Sequence, residues 1–257
     1  MTLTQDRRRA IAVHGFTACV LIVWFFAAQA LPPYQLPGPI KVGDKLAWLV
    51  ATPAGLWHVA ASIFHVAAAM LASFVLGFFV ALLPLYLPVA VIMVDGRFTP
   101  FVNSFPGIGW TMLAIVWLGI GTNTVVFSVT IILLPFMIIN LREGVRALDR
   151  ELMEMAGSFS RSRARAFRLI ILPSLFPFMF SAMRVSFGVS WKVTLTAELL
   201  GGTTGLGYLM NVARQELDTA QIFAVMLLIV LLVYAINRLL FDTAQRHLQL
   251  GRVGAAS

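Results

Sequence analysis

Charge and cysteine are both scarce in this 257-residue chain. Charged residues make up 12% of it and hydrophobic residues 60%, with a mean hydropathy of +0.88. A soluble domain carries about twice that charged fraction. Cys19 is the only cysteine, so the sequence contains neither a disulfide framework nor a cysteine-based metal site. The composition therefore fits a protein that crosses a membrane several times.

The excess of basic residues does not indicate a nucleic-acid partner. The formal net charge is +8, but the chain has no interleaved aromatic and basic residues of the RNA-binding kind. Most lysines and arginines fall in segments on one side of the predicted membrane topology, which by the positive-inside rule is the cytoplasm. The segments on the other side hold only Lys41, Lys45 and Arg214. Both termini are therefore predicted to be cytoplasmic.

Long apolar runs predict six membrane-spanning helices. Residues 56–94 contain no Asp, Glu, Lys or Arg, yet as one straight helix they would measure about 58 Å against a hydrocarbon core of about 30 Å. The second span should therefore end near Pro84 to Pro88, and the Asp95-Gly96-Arg97 segment is predicted to be an inner turn. The remaining predicted spans are residues 10–31, 108–119, 123–140, 174–196 and 222–240, with a short outer helix at 42–50.

Residues 143–173 form the one long polar stretch, and it is rich in arginine. Apolar residues recur at helical spacing through its first half, which predicts an amphipathic helix. Ser158 or Ser160 is expected to cap a second helix that runs to Ile171. Pro173 is expected to end that helix or to open the next span.

This stretch resembles the EAA loop of ABC-importer permeases. The loop has the pattern E-A-A, then a Gly, then hydrophobic-x-L-P. Residues 154–156 (E-M-A) stand at the first positions and residues 170–173 (I-I-L-P) at the last, while a serine occupies the Gly position and a glycine precedes it by three residues. The resemblance implies that the residues that couple the chain to an ATPase are Glu154, Met155, Ala156, Gly157, Ser160 and Pro173.

Three further segments resemble the nitrate, taurine and sulfonate branch of these permeases. Residues 31–39 (LPPYQLPGP) are similar to its LPSP element, and residues 117–121 (WLGIG) to its W-F-G-I-G element. Residues 198–209 (ELLGGTTGLGYL) resemble the AE-hydrophobic-x-G-x-x-x-GLGY segment, a loop that dips into the outer mouth of the path. The glycine-rich stretch lacks the Lys-Ser/Thr and the preceding strand of a P-loop, so phosphate binding is not indicated.

The fifth predicted span carries ionisable residues, which are costly in a membrane and usually face the bundle interior. Arg184, Trp191 and Glu198 are seven residues apart and share one helical stripe. They and Lys192 either line the path, or Arg184 pairs structurally while Lys192 and Glu198 lie near the outer interface. The glycines that follow are expected to adopt positive φ and to approach a neighbouring subunit. The predicted path or gate residues are Arg184, Trp191, Lys192, Glu198, Gly201, Gly202, Gly205 and Gly207.

Two histidines of the second predicted span, His58 and His65, also share a helix face. The pattern favours neutral packing or a position near the interface, with a proton or ligand site as the alternative.

The resemblance covers about residues 31–250 and implies an all-α fold of the type I ABC-importer permease, with six spans and cytoplasmic coupling helices. Residues 1–55 would comprise an N-terminal arm, the first span and an outer loop. Residues 56–250 would form the permease core with a coupling loop at 142–173, and residues 251–257 a C-terminal tail. The implied function is half of the path for a small anion such as nitrate, taurine or another sulfonate, in the bacterial inner membrane.

The implied machinery is shared with other chains. No Walker A motif occurs, so the chain is expected to be a transport subunit rather than an enzyme, with ATP and Mg bound by a partner ATPase. The resemblance implies two ATPase subunits, a second copy of the permease, a periplasmic substrate-binding protein and membrane lipid, with no nucleic acid. The alternatives are an ATP-independent channel or secondary transporter, and an intramembrane enzyme, for which no HExxH motif or Ser/His pair is evident.

Overall fold

The computed structural model describes residues 2–148, 165 and 167–243. In this part of the chain every regular element is helical. Three π-helical turns, Val94–Phe98, Phe167–Ile171 and Asn237–Asp242, continue the α-helices beside them. The α-helices are α1 (Thr2–Ala30), α2 (Pro39–Ala51), α3 (Pro53–Tyr86), α4 (Val89–Met93), α5 (Thr99–Ser104), α6 (Gly107–Leu118), α7 (Thr122–Arg146), α8 (Leu172–Gly201), α9 (Leu206–Gln215) and α10 (Thr219–Ile236).

The ends of the early helices follow from prolines and one threonine. Pro39 and Pro53 open α2 and α3, where a missing N–H removes no intrahelical bond. Thr52 ends α2 and caps α3, and its hydroxyl accepts the Gly55 N–H at 3.1 Å. The short helix predicted at 42–50 is confirmed as α2, and α3 ends at Tyr86, within the predicted proline cluster.

The described residues contain four helices long and apolar enough to cross a membrane: α3, α7, residues 167–201 and residues 219–239. The pair Val89–Ser104 and Gly107–Leu118, bent by 81°, raises the number to five if it counts as one broken span. The predicted first span corresponds to a shorter apolar helix at Gly15–Ala30. The helical membrane fold is therefore confirmed, whereas the count of six spans is confirmed only in part.

The turn predicted at Asp95, before the third predicted span, is wrong. That segment is a π-helical turn, and the helix continues through it to Ser104. The helix breaks at Phe105 and Pro106, because proline has no N–H to continue the ladder and holds the preceding residue extended. The 12-residue α6 that follows is only about 18 Å long, too short to cross alone.

The core lies where α3, α7, α8 and α10 meet. Ala69 of α3, Val125 and Val129 of α7 and Ala224 of α10 are fully buried there. The backbone of α3 approaches α7 closely at Gly77, where a β-carbon would stand 2.8 Å from the Met137 Cβ. Large apolar side chains also cover the outside of the spans, as expected of a surface that faces lipid.

An ion pair joins α2 to the turn before α10. The Lys45 Nζ of α2 lies 2.6 Å from the Asp218 Oδ2 in the turn before α10. Burial alone would raise the pKa of Asp218, but the Lys45 hydrogen bond and the Gln221 N–H outweigh that effect and hold the pKa below its usual value. This carboxylate therefore stays ionised while it joins α2 to the start of α10.

Candidate functional site

The turn between α6 and α7 packs against the end of α8. Gly119 has φ of +77°, a conformation that favours glycine, and its N–H closes the last turn of α6 by bonding to the Ile115 carbonyl. The Gly121 N–H then donates to the Gly201 carbonyl at 2.8 Å. The W-L-G-I-G segment and the glycine-rich segment, 80 residues apart at these two glycines, are thereby neighbours in space.

The glycine-rich loop is shorter than the sequence predicts. Helix α8 continues to Gly201 and α9 begins at Leu206, so only residues 202–205 are non-helical in the predicted 198–209 loop. The last turn of α8 closes through the Gly202 N–H, which donates to the Glu198 carbonyl at 2.9 Å. The carboxyl side chain of Glu198 therefore projects from a regular helix one turn before the loop.

Glu198 is fully buried and its carboxylate is surrounded by donors. The Ser62 hydroxyl lies 2.8 Å from both carboxylate oxygens, and the His65 Nδ1 lies 2.8 Å from Oε1. The Gly207 N–H donates to Oε2 at 2.7 Å. A buried charge is tolerated only with such partners. We call Glu198, Ser62, His65 and the Gly207 N–H the Glu198 cluster.

The His65 ring has a hydrogen-bond partner on each side. Its Nδ1 lies 2.8 Å from the Glu198 Oε1, and its Nε2 lies 3.2 Å from the Thr122 hydroxyl at the start of α7. The imidazole therefore links α3 to both α8 and α7.

Side chains of α3 hold the beginning of α9. The Leu206 N–H donates to the Ser62 hydroxyl oxygen at 2.7 Å, and the Gly205 N–H donates to the His58 Nδ1 at 3.2 Å. With Gly207, three consecutive N–H groups at a helix N-terminus are thus satisfied by side chains. The carboxylate at that terminus also interacts favourably with the helix dipole.

Only one of the four loop glycines has positive φ. Gly205 has φ of +106°, and a β-carbon there would overlap the Glu198 carboxylate. Gly201 is helical, Gly202 has φ of −88°, and Gly207 lies in α9 with its Cα against the Leu195 carbonyl. Positive φ is therefore used at Gly205 and not at Gly201, Gly202 or Gly207, and the approach of this segment to a neighbouring subunit stays a prediction.

The other predicted path residues lie along α8 in different surroundings. Because α8 is continuous, Arg184, Trp191 and Glu198 share one stripe as predicted. Trp191 is 2% exposed and packs edge-on against Phe187 in the core. Arg184 is half-buried and Lys192 is exposed. Glu198 is fully buried, and its side-chain partners Ser62 and His65 lie on α3.

Ser62 and Thr122 are the members of this site that the sequence analysis missed. His58, Ser62 and His65 are spaced four and three residues apart, so they share a face of α3. A run of polar side chains at helical spacing within an otherwise apolar span was the available signal. What the run faces depends on contacts between residues 57 to 147 positions apart along the chain.

The predicted coupling residues are mostly beyond what can be described. Glu154, Met155, Ala156, Gly157 and Ser160 lie outside the described residues. Pro173 lies in the first turn of α8 and opens the span, as predicted.

Long apolar helices, one of them broken, and a buried polar cluster where three of them meet α9 define a polytopic helical membrane protein. The family model for the inner membrane component of binding-protein-dependent transport systems matches residues 73–251. The chain belongs to this family. It is therefore the membrane permease subunit of an ABC importer, a transport component that works with an ATPase and a substrate-binding protein.

Individual comparisons agree with this membership. The taurine transport system permease protein TauC of Escherichia coli (strain K12) is 28% identical over 239 residues, which are 87% of this chain and 83% of the relative. The putative aliphatic sulfonates transport permease protein SsuC of the same strain is 32% identical over 130 residues, 51% of this chain and 49% of the relative. The crystal structure of an amino acid ABC transporter with histidines has a TM-score of 0.59 at 18% identity and covers 80% of this chain and 96% of that chain, so the fold is shared. The alternatives of an ATP-independent carrier and an intramembrane enzyme are not retained.

Proposed function

We propose that the chain forms half of the path in a homodimeric permease that imports a small sulfonate-like anion, and that the Glu198 cluster closes the outer mouth of this path. The buried Glu198 carboxylate that holds residues 205–207 carries this proposal. Relatives named for taurine and aliphatic sulfonates support the substrate class. Both termini would then be cytoplasmic.

The cluster has the properties of a latch. The segment after α8 is fixed to α3 by the Gly205 and Leu206 N–H groups, and to α8 by the Gly207 N–H, which donates to the Glu198 carboxylate. Hydrogen bonds are directional and are lost together when their two sides separate, whereas apolar contacts change gradually. A rigid-body rocking of α3 against α8 and α9 would therefore switch the mouth between two states.

ATP would act from the opposite side of the membrane. The EAA-like residues Glu154, Met155, Ala156, Gly157 and Ser160 would dock on an ATP-binding subunit, one for each of the two permease copies. That subunit would bind ATP and Mg. Closure of the two ATP-binding subunits would then pull the docked segments together and rock the spans.

Gly205→Ala tests the latch. The added β-carbon would overlap the Glu198 carboxylate, and the φ of +106° at this position is unfavourable for alanine. Residues 205–207 should therefore lose their hydrogen bonds to α3 and Glu198. With the ATP-binding subunit and a binding protein in proteoliposomes, we expect ATP-driven taurine uptake to fall about tenfold, the scale of one lost charge-assisted hydrogen bond. Taurine trapped in the vesicles should also escape without ATP.

The matched control is Gly43→Ala in α2, where a β-carbon meets nothing within 4 Å. It should leave uptake and retention unchanged. Glu198→Gln attacks the same latch by a different route, because an amide NH₂ would face a donor, either His65 or the Gly207 N–H. If Gly205→Ala and Glu198→Gln both fold and show normal taurine uptake and normal taurine retention in the vesicles, the Glu198 cluster does not close the path.

A further inference from the structure

A second polar cluster lies at the opposite end of α7 from the Glu198 cluster. Arg142, one turn before the end of α7, is 6% exposed although a guanidinium stays charged at any physiological pH. Its Nε donates to the Asp95 Oδ1 at 3.0 Å and its Nη2 to the Asp95 Oδ2 at 2.8 Å. A bidentate pair of this kind fixes the relative orientation of both side chains.

The same guanidinium reaches a third part of the bundle. Its Nη1 donates to the Ala81 carbonyl of α3 at 3.4 Å. Asp95 belongs to the π-helical turn between α4 and α5, so one buried arginine joins α3, α7 and the helical segment 89–104. Arg146, one turn further along α7 and 61% exposed, adds a second contact to the Asp95 Oδ2 at 2.8 Å.

Apolar packing alone would not hold this junction in one position. Val94 packs on Leu134 and Ile138 of α7, and such contacts are non-directional. A cavity of about 340 Å³ separates α5 from α7 beside them. Thr99, which lines it, has a buried hydroxyl without a hydrogen-bond partner among the described residues. The Asp95–Arg142 pair therefore sets the register of α7 against segment 89–104.

We propose that Asp95 and Arg142 act as positioning residues that make this end of α7 move as one body with α3 and segment 89–104. The loop that follows α7 carries the EAA-like residues, so the inference rests on the proposed docking of that loop on the ATP-binding subunit. A pull on the loop would reach α7 first. The Asp95–Arg142 pair passes it to the two neighbouring elements instead of letting α7 slip past them.

The test measures whether the elements stay together when ATP acts. In a Cys19→Ser background, spin labels are placed at Val89→Cys on α4 and Ala147→Cys at the end of α7, both exposed positions. The complex with the ATP-binding subunit is compared without nucleotide and after trapping with ATP and vanadate. We expect the same interlabel distance in both states, whereas Asp95→Asn should show a shift of about 2 to 5 Å only on trapping, the range of helix shifts and one-turn slips.

Three further variants define the outcome. Arg97 lies in the same π-helical turn, is exposed and forms no ion pair in the described part of the chain, so Arg97→Gln should behave as the parent. Asp95→Asn and Arg142→Gln should behave alike. The exchanged pair Asp95→Arg with Arg142→Asp should restore the fixed distance.

Each remaining result overturns something specific. An unchanged distance in folded Asp95→Asn rejects the clamp. A distribution that is broad both with and without nucleotide also rejects it, because the pair would then serve only folding. A parent chain that retains no ATP-binding subunit rejects the proposed function, and the clamp with it.

Discussion

At the scale of single residues, burial separates the ionisable groups of α8 into two kinds. Glu198 has a relative exposure of 0% and is matched by donors on α3 and α9, so it contributes no free charge to the outside of α8. Lys192, six residues earlier, is exposed and forms no ion pair among the described residues. Because the Glu198 carboxylate is hydrogen-bonded to Ser62, His65 and Gly207, it does not neutralise Lys192. Two copies of the chain would double this positive charge, which favours an anion.

Lys192→Gln should therefore weaken anion uptake. Losing one charged contact of about 1.5 kcal/mol or more would raise the KM for taurine about tenfold. ATP hydrolysis without substrate should be unchanged, since Lys192 is far along α8 from Pro173 and the loop before it. The measurement is the uptake rate against taurine concentration in proteoliposomes.

Lys41→Gln serves as the control, because it removes the same charge from an exposed site on α2. An equal KM for taurine in both variants would show that Lys192 does not contact the substrate. A raised KM for taurine with an unchanged KM for an uncharged solute would strengthen the case for charge.

At the scale of elements, side chains from distant parts of the sequence fix the junctions between helices. Thr52 serves α2 and α3 together, His65 joins α3 to α7 and α8, and the Lys45–Asp218 pair joins α2 to α10. Exposed ion pairs contribute little to stability, and this one is partly exposed. Its contribution is better detected through the pH dependence of stability than through the size of the stability change on mutation.

The Asp218 contribution should disappear in acid. The folded state lowers the pKa of this carboxyl below 3.8, so the ionised form stabilises the fold above that pH and ceases to do so as the pH falls through the lowered pKa. The Tm of the parent in detergent should be higher than the Tm of Asp218→Asn at neutral pH. The difference should shrink as the pH is taken below 3.8.

Glu216→Gln is the matched control, since Glu216 is exposed and forms no ion pair within the described residues. The Tm of Glu216→Gln should differ little from that of the parent, and this difference should not depend on pH in the same way. A difference for Asp218→Asn that is independent of pH would contradict a role for its charge.

The sequence predicts helix boundaries better than it predicts partners. Proline and glycine act locally, so the end of α3 near Pro84 and the turn at Gly119 follow from the residues themselves. The helix through Asp95 was missed, because a charged triplet resembles a turn whether or not an arginine on another span binds it. The partner of Glu198 was missed for a related reason, since helical spacing shows which residues share a face but not what that face meets.

At the scale of the whole molecule, the bundle has one polar cluster near each end of α7. Thr122 contacts His65 at the first end, and Arg142 contacts Asp95 at the other. The 25-residue α7 between them is about 37 Å long, enough to cross the hydrocarbon core. Under the proposed function this helix is the shortest mechanical route from the EAA-like loop to the outer mouth.

Glu154→Lys tests the far end of that route. The reversed charge should prevent docking, so the purified complex should lose the ATP-binding subunit or should hydrolyse ATP without taurine uptake. The measurement pairs subunit retention on an affinity column with uptake in proteoliposomes.

Asp149→Lys reverses a charge in the same polar stretch but outside the E-A-A positions, and it should retain both properties. Full retention and normal uptake in Glu154→Lys would remove this residue from the docking surface. Loss in both variants would mean that the net charge of the loop, rather than its motif, binds the partner.

The Glu198 cluster also has a consequence for how the chain is made. Its donors Ser62 and His65 lie on α3, and the carboxylate they bind follows 133 to 136 residues later. Synthesis proceeds from the N-terminus, so a hydroxyl and an imidazole, which are the less costly groups to place in a bilayer, enter it first. The carboxylate, which is the most costly, arrives last and finds its partners already in place. A chain with the carboxylate on α3 and the donors on α8 would have to hold an unpaired charge in lipid while the ribosome completed the rest.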